Sequence, residues 1–125
     1  WDGLGAAIFA VALLGESLAD RQLARFRRDP NNLGHTCASG LWRYSRHPNY
    51  FFEWLHWWAY VPMAAYSVWG LASLAAPAAM LYLLFFVTGI PYTEKQALRS
   101  RGEDYRAYQR RTSAFVPWFP RKERP

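Results

Sequence analysis

A chain of 125 residues, 52% apolar and 18% aromatic, is long enough to bury a core and excludes a disordered or low-complexity protein. All fifteen Lys and Arg residues fall in two blocks, 21–46 and 95–124, while residues 51–93 carry one formal charge, Glu53. An ordinary soluble surface mixes both signs throughout, so this partition excludes one, and the uncharged stretch suffices for two spans at about 20 residues each.

The net charge of +6 raises nucleic acid as a partner. No nucleic-acid-binding motif is present, however, and positive loops beside membrane segments account for the charge. Cys37 is the only cysteine, so no intrachain disulfide forms. The chain starts at Trp1 inside an apolar run with no basic segment before it, unlike a signal peptide, and the expectation is a piece of a longer protein.

In chain order, residues 1–18 are apolar apart from Asp2, Glu16 and Ser17, and their Ala and Leu content predicts a membrane helix continuing to about Arg28. Asp29, Pro30, Asn31, Asn32 and Gly34 stop it, and residues 33–48 read as a loop punctuated by Gly34, Gly40 and Pro48. Residues 50–69 predict a second apolar helix, bent at Pro62, and residues 76–92 a third, with the turn between them at 70–77. Thr93 with Gln96 has the form of a capping box, Gly102 of a break, and residues 103–111 of a short amphipathic helix. Pro117, Pro120 and Pro125 keep the tail extended. The fold class expected is all-α, a multi-pass transmembrane bundle of about three membrane helices plus short cytoplasmic helices, in one domain over 1–125. By the distribution of positive charge, both basic blocks lie on the cytoplasmic side, and residues 50–92 form a hairpin across the membrane and back. Pairs of small residues spaced by four, Ala72 with Ala76 and Ala75 with Ala79, offer close helix approach, though in an Ala-rich helix chance produces such spacing.

Three constellations carry candidate chemistry. On the first helix Glu16, Asp20 and Arg27 fall within about 40° of one another. An acid near the end of a span is costly unless it meets a cation, donors or water, so Glu16 points to a polar cavity, whereas Asp20 serves equally well as an interfacial partner for arginines. The second is the run Gly40-Leu41-Trp42-Arg43-Tyr44-Ser45-Arg46-His47-Pro48-Asn49-Tyr50, followed by Glu53 and His56. Arg43 and Arg46 offer forked donors for phosphate oxygens. His47 and Asn49 add donors at a helix start, where the dipole favours an anion. Asn49, Glu53 and His56 share one helical face. The plainer reading has the arginines touching lipid headgroups and Asn49 as an N-cap, which leaves Glu53 and His56 unexplained. The third is the tail, with Glu94 and with Tyr105 and Tyr108 on one face, suited either to stacking on an aromatic ring or to interfacial anchoring. His35 and Cys37 fall short of the three or four ligands of a metal site, so no metal is expected.

These residues resemble a known family. The pattern Glu16-x3-Asp20-x6-Arg27, the run Gly40 to Tyr50 with Glu53, Gly89-Ile90-Pro91-x2-Glu94, and Tyr105-x2-Tyr108 through Phe115-x-Pro117 are similar to the C-terminal domain of steroid 5α-reductases and sterol reductases. The likeness is greatest to a bacterial branch of membrane proteins. The resemblance implies a multi-pass enzyme of the bacterial inner membrane that binds NADPH in its C-terminal bundle and reduces a carbon–carbon double bond of a steroid- or lipid-like substrate. Asp20, Arg27, Asn49 and Glu53 match cofactor-binding positions; Glu16 stands where steroid reductases carry an amide, and Ile90 and Glu94 stand where they carry an arginine and a histidine. The candidate cofactor-binding set is Glu16, Asp20, Arg27, Arg43, Arg46, His47, Asn49, Tyr50, Glu53, Glu94, Tyr105 and Tyr108. The resemblance also implies that the substrate-polarising residues lie in N-terminal helices of the full-length protein outside this chain. Partners are then the bilayer, a hydrophobic small molecule and those helices, and not nucleic acid.

A related family, the isoprenylcysteine carboxyl methyltransferases, shares shorter R-H-P-x-Y forms. It makes S-adenosylmethionine the alternative cofactor, with His47 and Glu94 near its sulfonium and amino-acid portion. A non-catalytic membrane scaffold is the third reading.

Overall fold

The computed structural model describes residues 1–121, which are helical or irregular with no strand. Helix α1 spans Asp2–Arg28, as its composition predicts. It ends where Asp29 turns extended (φ −84°, ψ 116°) ahead of Pro30, because a residue before proline is driven out of the helical region. The Asp29 carboxylate then accepts from the Asn31 amide at 2.9 Å and caps the 3₁₀ turn Pro30–Asn32. Arg25, Arg27 and Arg28 fill the last turn of α1, where cations offset the helix dipole.

After a loop holding the 3₁₀ turn Gly40–Arg43, α2 runs over Pro48–Trp58 and a single turn, α3, over Tyr60–Met63. Pro48 therefore opens a helix rather than closing the loop, a position where its missing N–H costs nothing. The apolar helix expected over 50–69 is shorter. Pro62 has no N–H to give the carbonyl of Trp58 four residues back, and α2 ends at that residue. Residues 64–71 form turns in which Tyr66, Val68 and Leu71 are almost wholly exposed, so no burial holds a helix there.

A 3₁₀ turn, Ala72–Leu74, leads into α4, Ala75–Tyr82, and a π-helical segment, Leu83–Val87. Pro77 lies in the first turn of α4, not at the end of a connecting turn. At 88–89 the chain breaks, with Thr88 extended and Gly89 at φ +55°, before α5 over Ile90–Arg101. A side chain at Gly89 would press on Leu84. Thr93 sits inside α5 and not at a cap. Gly102, at φ +52°, makes the expected break, and α6 spans Glu103–Arg111 as expected. The tail beyond it is irregular and includes Pro117 and Pro120; Pro125 lies outside the described residues.

Two helical stretches, Asp2–Arg28 and Ala72–Arg101, are long and apolar enough to cross a membrane. The eleven-residue α2 is not among them, so two of the about three expected spans have the length and apolarity that a crossing needs. The packing of α1 is inverted relative to a soluble core. On α1 the buried residues are the smallest, Gly5, Ala12 and Ala19, while Leu4, Val11, Leu14 and Leu18 are exposed. The small face lets α2 and α3 approach: a Cβ on Gly5 would meet the Ala59 carbonyl at 2.6 Å, and one on Gly15 would run into the Phe52 ring. The Ala72, Ala75, Ala76 and Ala79 spacing, by contrast, lies on exposed positions. α2 is tied to α4 by the Trp54 indole donating to the Pro77 carbonyl at 3.0 Å.

Candidate functional site

The site is organised by the loop between α1 and α2. Gly40 adopts φ +62°, open to glycine at little cost, and a Cβ there would strike the Gln22 side-chain amide at 2.6 Å. Gln22 accepts from the Leu41 amide at 2.9 Å, and the Trp42 indole donates to the Ala19 carbonyl at 2.9 Å, fixing the loop to α1 where its apolar run ends. The tail holds the loop from the other direction. Ser45 donates to the Phe115 carbonyl (2.7 Å), the Arg46 amide to the Ser113 carbonyl (2.8 Å), and the Trp118 amide to the Tyr44 carbonyl (3.0 Å). Tyr108, buried, donates to the carbonyls of Trp42 and Ser45.

This clamp aims Arg46 and His47 at α5. Glu94 accepts from Arg46 Nη1 and from the Tyr105 hydroxyl, and the buried His47 Nε2 lies 3.6 Å from Glu94, too far for a hydrogen bond. His47 stacks on Tyr50 at 5.5 Å, and the Tyr50 hydroxyl bonds Thr93 at 2.9 Å. The Arg101 guanidinium lies 5.1 Å over the Tyr105 ring. Burial, and then the bond to Glu94, push the Tyr105 hydroxyl above its ordinary range; burial does the same for Tyr108, so both stay neutral donors.

A cavity of about 250 Å³ opens beside this cluster. Its walls bring together seven of the expected residues, Arg27, Arg46, His47, Asn49, Tyr50, Tyr105 and Tyr108, with Glu94 behind Arg46. A larger cavity of about 620 Å³ lies alongside and shares Leu23, Arg27, Cys37 and Arg101 with it. Three buried nitrogens in the smaller cavity's lining residues, Arg46 Nε, His47 Nε2 and Arg101 Nε, have no hydrogen-bond partner. Buried polar groups are nearly always satisfied, and the two arginine Nε donors fit an acceptor-rich ligand. The same walls carry three arginines and no carboxylate. Burial pushes the Cys37 thiol up, against Ser39 hydrogen bonds and the pull of Arg27 and Arg101.

The remaining expected residues lie elsewhere. Asp20 is exposed, and Glu16, half-buried, is within electrostatic reach of Glu53 and Asp20; none of the three lines either cavity. The strip Asn49, Glu53, His56 is thus divided: Asn49 faces the smaller cavity and accepts from the Tyr50 amide, while His56 bonds Tyr60 at 3.0 Å and packs edge-on to Phe9 of α1. The N-cap of α2 is His47, not Asn49. Arg43 lines a separate cavity. Arg101, Thr93 and Cys37 are site-lining residues not counted among the cofactor-binding candidates. Arg101 follows Glu94 by seven positions on one helix, two turns along the same face, a spacing that would have revealed it. No group of three or more metal-binding side chains occurs among the described residues.

Comparison with curated proteins and with solved structures gives no match. A family model described as "Protein of unknown function (DUF1295)" matches residues 1–112, nearly the whole chain. The organisation of loop, cavity and helices described above lies almost wholly within that match, and the chain is a member of the DUF1295 family.

Proposed function

We propose that this chain is the cofactor-binding part of a membrane reductase that uses NADPH to reduce a carbon–carbon double bond in a lipid-like substrate. The observation that carries the reading is the smaller cavity, whose arginines and orphaned donors meet no carboxylate in the wall. Phosphate oxygens satisfy that set bidentately. A sulfonium cation does not, and Glu94, the acid beside the smaller cavity, is already engaged by Arg46 and Tyr105. This favours NADPH over S-adenosylmethionine.

Arg27 and Arg101, in the wall common to both cavities, neutralise phosphate charge on a ligand extended across them. Glu94 holds Arg46 in place, and Asn49, at the start of α2, offers its amide to the cofactor's polar edge. NADPH, when bound, supplies a hydride. The exposed apolar faces of α1 and of the Ala72–Arg101 stretch set the site against the bilayer, from which an apolar substrate enters without crossing water. The likeness of the Arg46-His47-Pro48-Asn49-Tyr50-x2-Glu53 run to steroid reductases supports the same conclusion.

The test is thermal unfolding of the full-length protein in detergent with each cofactor. A ligand that binds only the folded state at a hundred times its Kd stabilises it by about 2.7 kcal/mol. NADPH is expected to raise the Tm and S-adenosylmethionine to leave it unchanged, with Arg27→Gln and Arg101→Gln each weakening NADPH roughly tenfold, about the worth of one charged hydrogen bond. A shift with S-adenosylmethionine alone would assign methyl transfer, and no shift with either would leave a scaffold.

A further inference from the structure

Arg43 belongs to the same sequence run as Arg46 but lines a different space. It faces a cavity of about 310 Å³ with Arg111, Thr112, Ala38 and Pro120, none of which lines either of the two cavities above. Arg43 is exposed and lies 5.9 Å from the Tyr44 ring, and no ion pair of the described residues involves Arg43 or Arg111. Two guanidinium groups with like charge line one notch, and no acid among the described residues lines it with them. The notch has a fixed frame: the Trp118 amide bonds the Tyr44 carbonyl at 3.0 Å, and the Arg121 amide bonds the Arg111 carbonyl at 2.7 Å. The same stretch of tail leaves Trp118 and Phe119 exposed, at 69% and 76%. Large aromatics held out in this way are the usual furniture of a membrane–water interface. The level agrees, because the loop bearing Arg43 is fixed by Trp42 and Leu41 to Ala19 and Gln22, where the apolar run of α1 gives way to Asp20 and Arg21.

From this juxtaposition we infer that the notch between Arg43 and Arg111 is a docking site for the phosphate of an anionic membrane phospholipid, with Trp118 and Phe119 against its glycerol and upper acyl region. Forked guanidinium donors match phosphate oxygens, and a free phosphate in water has no use for the adjoining aromatics. This site stands apart from the proposed cofactor cavity and does not depend on it.

The experiment is native mass spectrometry of the full-length protein in neutral detergent, titrated with phosphatidylglycerol, with phosphatidylcholine of the same acyl chains, and with inorganic phosphate. Bound phosphatidylglycerol is expected to survive at concentrations where phosphatidylcholine does not, and to resist a large excess of phosphate. Arg43→Gln and Arg111→Gln should each weaken it about fivefold and the pair roughly twenty-five-fold, from the contribution of one basic residue at an anionic surface. Arg27→Gln, in the other cavity, should leave it unchanged. Equal retention of the two lipids by the unaltered protein, which no folding defect can explain, would overturn the inference. Displacement by inorganic phosphate at the lipid's own concentration, or equal loss in the Arg27→Gln control, would do the same.

Discussion

Tyr108 shows what one side chain does for the loop that carries the site. Its ring is 1% exposed, and its hydroxyl donates to two carbonyls of that loop, those of Trp42 and Ser45. Tyr108→Phe keeps the volume and leaves both carbonyls without this donor, at a cost of about 1–3 kcal/mol. The expected result is a lowered melting point together with faster proteolysis within residues 39–47, and a lowered melting point without the second effect would place the loss elsewhere. Glu94 plays a comparable part for the cavity. In sequence it follows a long uncharged stretch and is one of the cofactor-binding candidates; in the folded chain it is the acceptor shared by Arg46 and Tyr105. Nothing in linear order connects Glu94 to Arg46, because the contact depends on how α5 lies against the loop.

Between elements, two contacts decide the arrangement. The first is the close approach of α1 to α2, where Gly15 meets Phe52. Gly15→Val forces the ring aside and should destabilise the protein by about 1–3 kcal/mol, the cost of overpacking. Thermal unfolding in detergent measures this, and Phe52→Ala in the same background should recover part of the loss, since the two residues share one contact. The second joins the loop to α6: the Thr36 amide donates to Asp104 at 2.8 Å, with His35 Nδ1 3.7 Å from the same carboxylate. Burial raises the Asp104 carboxyl, but its bonds with Thr36 and the neighbouring His35 outweigh that and hold it below the usual aspartate range. A carboxyl lowered on folding adds stability above its unfolded pKa of about 3.9, and that contribution is lost as pH falls through the lower folded value. Amide exchange at Thr36 should therefore quicken on acidification below about pH 4, after allowance for the intrinsic exchange rate. Asp104→Asn should remove the dependence; an unchanged profile in that variant would assign it to another group.

For the molecule as a whole, the distribution of residue size is the informative quantity. Gly5, Ala12 and Ala19 face inward on α1, and Leu4, Val11, Leu14 and Leu18 face outward. In water that arrangement would leave the larger apolar area hydrated, whereas lipid covers it and the small face gains close packing. Val11→Arg is expected to cost about 3 kcal/mol of membrane insertion at mid-span, read as protein shifted from the carbonate-resistant membrane fraction to the soluble one. A protein folded in water would tolerate the change at this exposed site.

What the linear sequence determined by itself are the properties set by composition and neighbours. The extent of α1, its stop before Pro30, the break at Gly102 and the span of α6 depend on local propensity, on proline and glycine geometry and on the position of charge. The grouping of Arg46, His47, Asn49 and Tyr50 was legible because they lie within one turn of chain. Tertiary structure alone decided the rest. Residues 50–69 hold their apolar character whether helical or not; Pro62 marks the interruption in the sequence, but only the lack of burial over 64–71 reveals that no helix resumes beyond it. Arg43 and Arg46 are three residues apart and chemically alike, yet they face different cavities, because the tail crosses the loop between them through Tyr44, Ser45 and Arg46. Which arginine faces which cavity is a matter of long-range hydrogen bonds, and those connect residues about seventy positions apart that no local pattern relates.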